Sequence, residues 1–436
     1  MRATLARAVV VRLLRRMRGG QLTVVAPDGR TFRFGEPSSL AARVTIRDPR
    51  AWREWLRGSY GMACSYVDGM WECDDLVALT RIAARNVAAL DRLRARLAPV
   101  RLPIQRLTRR VHAPTIRRSR RQIAAHYDLG NDLFATFLDE TMMYSAAYFA
   151  TPGATLVEAS RAKLDLVCHK LDLGPDDHLL EIGTGWGGLA VHAAGRYGCR
   201  VTTATISREQ YDLAVERVRQ AGLEHRVTVL LEDYRNLTGS YDKLVSIEMI
   251  EAVGWRYFDT YFRRCAQLLK VNGAMLLQAI TIDHSAYEVE KDGRSFMKDL
   301  IFPGGCLPSL EVIGRCVTRT GALRTVDVED ITPHYVRTLR CWRERFEAAA
   351  EELEVLGYDA QFRRLWRMYL CYSEAGFAER RIQDVQVLMT KPALARRRAL
   401  APTREASEVR APGALGVHQG TAAEGLAERG ARPLRV

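Results

Sequence analysis

Apolar and polar positions follow two different periods along the chain. From residue 164 onward, short apolar runs typical of buried strands are separated by longer segments with the spacing of amphipathic helices. The predicted strands begin at His178, Arg200, Arg226, Lys243 and Ala274. This alternation predicts an α/β fold in which a parallel sheet is covered by helices on both faces.

A smaller mixed region precedes this alternation. Residues 22–34 alternate apolar and polar side chains around Asp28-Gly29, a dipeptide typical of tight hairpin turns, and helical spacing follows through Trp52 and Trp55. A further helix is predicted from Leu76 to Leu97. The regions that we predict are an N-terminal accessory domain with a basic linker (1–115), a larger α/β domain (116–395) and a disordered tail (396–436). The tail is rich in Ala, Arg, Gly and Pro and has too few large apolar residues to order itself.

The charge of the chain favours a polyanionic partner. The formal net charge is +14, and two arginine-rich stretches, residues 1–20 and 92–127, contain no acid. On a helix, the first stretch would form one apolar stripe composed of Leu5, Val9, Leu13 and Met17. Arginines cover most of the remaining surface, as in helices that lie in a membrane interface. A solvated, arginine-rich linker explains the same stretches equally well, so both interpretations stay open.

Neither a membrane span nor a metal site is indicated by the sequence. No apolar run reaches the roughly 18 to 20 residues that cross a bilayer, and the N-terminus lacks the apolar core of a signal peptide. The 9 cysteines are scattered without a C-x-x-C pair, as expected for reduced thiols inside a cell. We therefore expect a cytoplasmic protein that associates peripherally with the inner face of the cell membrane.

A glycine-rich loop after the first predicted strand indicates a cofactor site. Glycines allow a sharp turn and a close approach of a ligand to the backbone, and the following helix would begin at this ligand. A dinucleotide fingerprint reads G-x-G-x-x-G, with an acid about 20 residues later. The loop at 183–188 reads G-x-G-x-G-G instead, and the second strand ends in Thr205-Ile206-Ser207. This spacing suits a loop that cradles the amino acid portion of S-adenosylmethionine, which has no pyrophosphate.

Several ordered motifs resemble those of the cyclopropane-fatty-acyl-phospholipid synthase family over about residues 122–391. The motifs are His126–Asp132, Met143–Phe149, the glycine loop, Thr205–Gln210, Glu232–Arg235, Glu248–Glu251, Ile301–Gly305 and Leu307–Ser309. Residues Ser65–Trp71 also resemble the accessory domain of the members that act on phospholipids. The resemblance implies a class I methyltransferase with a Rossmann-like sheet and S-adenosylmethionine as cofactor.

The resemblance also assigns cofactor-binding residues. Tyr144 and Ser145 would contact the carboxylate end of S-adenosylmethionine. The methionine portion would lie on Gly183, Gly185 and Gly187. The ribose would be bound by Thr205, Ser207 and Gln210, and the adenine would be flanked by Asp233 and Tyr234. Hydroxyl and amide groups can bind a ribose as an acid does, which accounts for the missing acid.

A departure from the family pattern concerns the base of the reaction. The resemblance implies a bicarbonate ion held by a Cys, a Glu, a His and a Tyr. The Glu falls on Glu251 and the Tyr on Tyr335, which we predict as the catalytic residues. The Cys and His positions hold Ala146 and Gln278. Half of the anion site is therefore changed, and it stays open whether bicarbonate still binds.

This departure bears on the product. A lipid carbocation beside a prompt base loses a methyl proton and closes a cyclopropane, whereas slower proton removal lets a hydride shift first and then yields an exocyclic methylene. Residues Glu248–Gly254 and Gln278–Thr281 are similar to the actinobacterial subgroup that makes 10-methylene and 10-methyl (tuberculostearic-type) chains. We predict methyl transfer to an oleoyl-type phospholipid chain that gives a 10-methylene product, with cyclopropane formation as the alternative. Saturating the methylene would require a separate reductase.

Two rival functions fit less well. Methylation of a nucleic acid would require a base-binding motif such as Asn-Pro-Pro-Tyr after the fourth strand, where Glu248–Glu251 stands, so no nucleic acid partner is expected; a small-molecule acceptor is a weaker alternative. A membrane scaffold without activity is a further alternative, and such a scaffold need not bind S-adenosylmethionine. The sequence leaves open the double-bond position, the lipid head group and whether the chain forms a homodimer.

Overall fold

The computed structural model describes residues 3–87, 130–293 and 295–392. The second arginine-rich stretch, residues His126–Leu129 of the first motif and the predicted tail lie outside the described residues. The predicted domain boundaries are therefore not tested and stay predictions. Within the described ranges, no helix combines the length and the apolar character needed to cross a bilayer.

The N-terminal region is a small mixed sheet packed with helices. Its strands are β1 (Gln21–Val25), β2 (Thr31–Gly35), β3 (Ala41–Ile46) and β4 (Trp71–Cys73), in the order β2-β1-β3-β4. Its helices are α1 (Ala3–Leu14), α2 (Ala51–Trp55), α3 (Ser59–Val67) and α4, which includes residues 76–87. The predicted hairpin is confirmed, because β1 and β2 pair antiparallel. Gly29 turns the chain between them with a φ of 78°, a conformation that glycine adopts without steric cost.

The second sheet has seven strands. They are β5 (His178–Ile182), β6 (Arg200–Thr205), β7 (Val227–Leu231), β8 (Tyr241–Ile247), β9 (Leu269–Ile282), β10 (Arg324–Asp330) and β11 (Ile382–Thr390). Their order is β10-β11-β9-β8-β5-β6-β7. The five predicted strands, β5 to β9, are confirmed and pair parallel to one another. The sequence did not predict β10 and β11, which extend the sheet beyond β9. Strand β11 runs antiparallel to both β9 and β10. The hydrophobic pattern did not indicate β11 as a buried strand because Gln383, Asp384 and Gln386 interrupt its apolar residues.

Helices pack on both faces of this sheet, as predicted. The helices are α5 (Asn131–Phe137), α6 (Leu156–Leu171), α7 (Gly188–Tyr197), α8 (Arg208–Gln220), α9 (Ile250–Val253), α10 (Phe258–Leu268), α11 (His284–Glu290), α12 (Leu310–Thr320), α13 (Thr332–Ala348), α14 (Ala350–Val355) and α15 (Ala360–Ala378). Neighbouring residues of a strand point to opposite faces. Leu179 accordingly packs in one core with Leu164 of α6, whereas Leu180 packs in another core with Phe262 of α10.

The N-terminal region packs directly against α15. Arg364 of α15 donates to the backbone carbonyls of Tyr66 and Trp71 at 2.7 and 3.1 Å, and it pairs with Glu72 at 2.9 Å. A third core also joins the two regions and includes Trp71 and Trp366. The N-terminal region thereby forms one wall of the space in front of the seven-stranded sheet.

Candidate active site

The glycine loop lies at the carboxyl end of β5, where the order of the strands reverses. Gly183, Gly185 and Gly187 have φ angles of 100°, 51° and 83°, which other residues adopt only with strain. The amide of Gly183 donates to the carbonyl of Ala204 on β6 at 3.0 Å, so the loop is fixed to its neighbouring strand. A Cβ atom added to Gly185 would meet no group within 4 Å. The loop therefore borders open space at a position where α/β sheets bind their ligands.

The predicted ribose-binding residues follow the neighbouring strand and contact each other. The Thr205 hydroxyl donates to Oε1 of the Gln210 side chain at 2.7 Å. Ser207 Oγ accepts from the backbone N–H of Gln210 at 3.3 Å. Ser207 is thus the N-cap of α8. The structure brings these three side chains together beside the glycine loop.

The predicted adenine-flanking residues follow β7. The Asp233 carboxylate pairs with Arg235 at 2.6 Å, so this acid is bonded within the protein. The Tyr234 ring packs edge-on against Tyr261, with ring centroids 5.4 Å apart. Both residues lie just beyond the carboxyl end of β7, and their contact with the adenine stays a prediction.

Tyr144 and Ser145 reach the site from the segment that precedes α6. The Tyr144 hydroxyl lies 2.7 Å from the Tyr369 hydroxyl, and Ser145 Oγ accepts from Lys163 Nζ at 2.9 Å. Together with the open loop and the side chains of Thr205, Ser207 and Gln210, these residues fit S-adenosylmethionine. When bound, this cofactor supplies an electrophilic methyl group.

A cavity of about 750 Å³ adjoins Tyr144 and extends between the sheet and the N-terminal region. Much of its wall is apolar and is formed by Leu79, Ala83, Ile282, Phe302, Met368 and Phe377. Glu248, Glu251 and Tyr335 line the same cavity. The cavity therefore combines an apolar channel with carboxyl groups and a predicted cofactor residue.

Glu251 is half-buried at this cavity, and its Oε2 atom is fully buried. Its Oε1 atom accepts from the amide of Ile280 at 2.6 Å, while Oε2 has no hydrogen-bond partner in the described part of the chain. Burial, and then the charge of Glu248, raise the pKa of Glu251 to about 8. The two predicted catalytic residues share the cavity, but the Tyr335 hydroxyl donates to Glu248 and not to Glu251.

Sequence reasoning assigned no role to Glu248. Its carboxylate accepts hydrogen bonds from Tyr335 Oη at 2.7 Å, from Gln278 Nε2 at 2.7 Å and from the Ala146 amide at 2.9 Å. Its φ of 49° lies in the left-handed region, which costs a non-glycine residue about 1 to 2 kcal/mol. The sequence feature that could have indicated a role for Glu248 is its position directly after the fourth predicted strand, because α/β sheets bind their ligands at the carboxyl ends of their strands.

Two buried titratable residues, Asp384 and Lys163, also belong to the cluster. Asp384 of β11 accepts from Gln278 Nε2 at 2.9 Å, and burial, with the nearby charges of Glu248 and Glu251, raises its pKa well above the usual range. Lys163 of α6 is fully buried, and burial lowers its pKa to about 8 although Glu248 opposes the shift. Lys163 stands on the apolar stripe of α6, which was the signal that the sequence offered.

We predict that Glu251→Gln stabilises the protein more at high pH than at low pH. The raised pKa of Glu251 means that its ionisation disfavours the folded state. Stability is therefore lost as the pH rises from the unfolded pKa, about 4.3, through about 8. The amide cannot ionise and escapes this loss.

Urea denaturation at about pH 6 and about pH 9 measures this difference. The control is Glu216→Gln on α8, because hydrogen bonds from Arg219 lower the pKa of this carboxyl group and it does not titrate in that interval. A stability difference between Glu251→Gln and wild type that stays constant between the two pH values would contradict the prediction.

We also predict that Gly185→Ala weakens S-adenosylmethionine binding at least about tenfold, or about 1.4 kcal/mol. The added methyl group would project from the loop on which the cofactor lies. The matched control is Gly222→Ala, because Gly222 has a similar φ of 65°, also has open space around its Cβ position and follows the end of α8. Titration calorimetry should show a loss for the first variant alone, and equal affinities for both would refute the placement of the cofactor.

Comparisons with known proteins agree with this geometry. The chain matches the family described as mycolic acid cyclopropane synthetase over residues 115–387. It is 40% identical over 392 residues to the tuberculostearic acid methyltransferase UfaA1 of Mycobacterium tuberculosis, covering 86% of this chain and 89% of that one. It is 36% identical over 361 residues to the cyclopropane-fatty-acyl-phospholipid synthase of Escherichia coli K12, covering 81% and 89%.

Solved structures give the same result. The cyclopropane synthase MmaA2 of Mycobacterium tuberculosis has a TM-score of 0.59 at 29% identity, covering 62% of this chain and 98% of that one. The mycolic acid cyclopropane synthase CmaA1, solved with SAH and CTAB, has a TM-score of 0.59 at 32% identity with the same coverage. These matches confirm the predicted class I methyltransferase fold and S-adenosylmethionine as the cofactor. The chain therefore belongs to the mycolic acid cyclopropane synthetase family and is an S-adenosylmethionine-dependent methyltransferase of the cyclopropane-fatty-acyl-phospholipid synthase type.

Proposed function

We propose that the protein transfers a methyl group from S-adenosylmethionine to the double bond of an oleoyl-type phospholipid chain and produces a 10-methylene branch. The observation that carries this proposal is the apolar cavity, which runs from the N-terminal region to Glu248, Glu251 and Tyr144. Such an apolar wall can bind an acyl chain through the hydrophobic effect, because the chain buries its apolar surface against it. The names of the two relatives, a tuberculostearic acid methyltransferase and a cyclopropane synthase, support the same substrate class.

The lining residues suit a cationic reaction. The π electrons of the alkene form the new carbon–carbon bond, and the neighbouring carbon becomes positively charged. The rings of Phe302, Tyr335 and Tyr369 line the cavity and can stabilise a cation through their faces, as the carboxyl groups can through their charge. Because much of the cavity wall is apolar, it limits the access of water to the cation until the cation loses a proton.

The product depends on when that proton leaves. A hydride shift before proton loss gives the methylene group, and immediate proton loss gives the cyclopropane. The higher identity to the tuberculostearic acid methyltransferase, together with the altered positions Ala146 and Gln278, favours the methylene product. The similarity to the Escherichia coli enzyme keeps the cyclopropane as the second candidate. A separate reductase would be needed to saturate the methylene group.

The proposed function is tested with vesicles of oleoyl phospholipid and methyl-labelled S-adenosylmethionine. We expect the label in 10-methylene chains identified by mass spectrometry and NMR of the extracted lipids. Label found only in ring-containing chains would favour the second candidate. Label that enters water-soluble acceptors and no acyl chain would refute both.

The substrate lies in a membrane, and we propose that α1 brings the protein to the membrane surface. Ala6, Val10 and Val11 bury one face of α1 against the N-terminal sheet region. On the other face, Leu5, Val9 and Leu13 are exposed, whereas the fourth predicted stripe residue, Met17, packs against the core.

Basic residues accompany this apolar patch. Arg12, Arg15, Arg16 and Arg18 are exposed on and just after α1. Apolar side chains flanked by arginines are typical of helices that bind an anionic bilayer surface, where each arginine contributes about 1 kcal/mol. This arrangement supports a peripheral position at the inner face of the cell membrane.

We predict that the double substitution Leu5→Gln and Leu13→Gln lowers binding to anionic vesicles at least about tenfold, since the two leucines are 58% and 57% exposed and lose apolar contact with lipid. Unfolding stability should change by less than about 0.5 kcal/mol per site. Val355→Gln, at a residue 88% exposed on α14, is the control and should bind as wild type. Cosedimentation with phosphatidylglycerol vesicles is the measurement, and unchanged binding of the double variant would contradict the role of α1.

A further inference from the structure

The carboxylate of Glu248 is bonded by donors from three separate parts of the fold. Tyr335 donates from α13, Gln278 donates from β9, and the amide of Ala146 donates from the segment before α6. The orientation of the Gln278 amide is fixed in turn, because its Oε1 atom accepts from Gln386 Nε2 at 3.1 Å. The site is therefore built to hold one carboxylate at this point of the cavity wall.

A bicarbonate ion does not fit the same donors. The resemblance to the family assigns the ion to the positions now held by Ala146, Glu251, Gln278 and Tyr335. In this structure three of those four residues already donate to Glu248. A second anion at this place would lack these donors and would lie against a carboxylate. The carboxylate of Glu248 thus stands in for the ion.

The backbone at Glu248 agrees with a functional role. Glu248 directly follows β8 in the left-handed region, with a φ of 49°. Non-glycine residues held in this region cluster at active sites, where the surrounding structure keeps them in place. Here the three hydrogen bonds to the carboxylate do so, and the side chain lines the cavity.

Glu248 is also the carboxyl group in the cluster that is best able to carry the negative charge. Glu251 accepts one hydrogen bond from Ile280, and Asp384 accepts one from Gln278, whereas Glu248 accepts three. Hydrogen bonds to a carboxylate favour its charged form. Burial raises the pKa of Glu248, which strengthens it as a base, and the bonds from Tyr335 and Ala146 limit that rise.

We infer that Glu248 is the general base of the reaction and replaces an external bicarbonate. The inference rests on the proposed function. After methyl transfer and the hydride shift, one C–H bond of the new methyl group breaks. Its proton passes to the Glu248 carboxylate, and its electron pair forms the exocyclic double bond with the cationic carbon. The neutral Glu248 returns the proton to water when the product leaves the cavity.

The first test compares wild type and Glu248→Gln on oleoyl phospholipid vesicles in buffer depleted of bicarbonate. Wild type should keep its full rate without added bicarbonate. Glu248→Gln fills the same space but cannot accept the proton, so its rate should fall at least about 100-fold, the usual contribution of a general base. S-adenosylmethionine affinity should stay within about twofold, or about 0.4 kcal/mol, of wild type. A wild-type rate that depends on bicarbonate, or a fully active Glu248→Gln variant, would overturn the inference.

The second test restores the base from outside. Glu248→Gly relieves the left-handed backbone and opens a space among the three donors. Sodium formate or sodium bicarbonate should therefore raise its rate at least about tenfold, as a base placed in reach would. The same salts should leave Glu248→Gln inactive, because the amide fills the space. No rescue of a Glu248→Gly protein that still binds S-adenosylmethionine would contradict the inference.

The matched control is Asp172→Gly. Asp172 is an exposed acid with a φ of 52° at the end of α6, so its replacement makes the same backbone change away from the cavity. Its rate should equal that of wild type and should not respond to formate. Wild type that transfers no methyl group to these vesicles would contradict the proposed function, whereas Glu248→Gln that matches an active wild type would contradict only the role of Glu248.

Discussion

Burial of charge in an apolar cavity is the constraint on which the rest of this site depends. A lipid carbocation survives only where water is excluded, yet the same exclusion makes every unpaired carboxylate or ammonium group costly. Asp384 and Lys163 are buried and Glu248 and Glu251 are half-buried. The charge of Glu248 shifts the pKa of each of the other three. The protein meets part of this cost with hydrogen bonds, and the three bonds to Glu248 also hold its carboxylate in one arrangement.

The mixed sheet supplies most of that arrangement. Strand β9 carries Gln278 and stands between β8, which leads to Glu248, and the antiparallel β11, which carries Asp384 and Gln386. Gln386 pairs directly opposite Gln278 in the strand register, so the two amides meet. An inserted antiparallel strand with polar residues therefore positions a group that acts in the cavity.

The N-terminal region is part of the catalytic architecture, not an appendage. Its residues Trp71, Leu79 and Ala83 line the cavity, and Arg364 fixes the region to α15. In the proposed function, the same region carries the apolar patch of α1. One unit would then bind the membrane surface and enclose the acyl chain that leaves it.

The sequence by itself determined the strand and helix alternation, the N-terminal hairpin and the glycine loop. These features depend on local periodicity and on backbone conformations that only certain residues adopt. They can therefore be predicted without knowledge of the tertiary contacts. Motif resemblance added the fold class and the cofactor, which the comparisons confirm, and the residue assignments, which remain predictions.

Only the tertiary structure indicated which residue could act as the base. Glu248 was visible as an acid after the fourth strand, but its role depends on Tyr335, Gln278 and the Ala146 amide, which are up to 102 residues away along the chain. Strand β11 escaped prediction because its polar residues are buried through partners on other elements. Hydrogen bonds between distant residues have no period in the sequence, and only folding brings their donors and acceptors together.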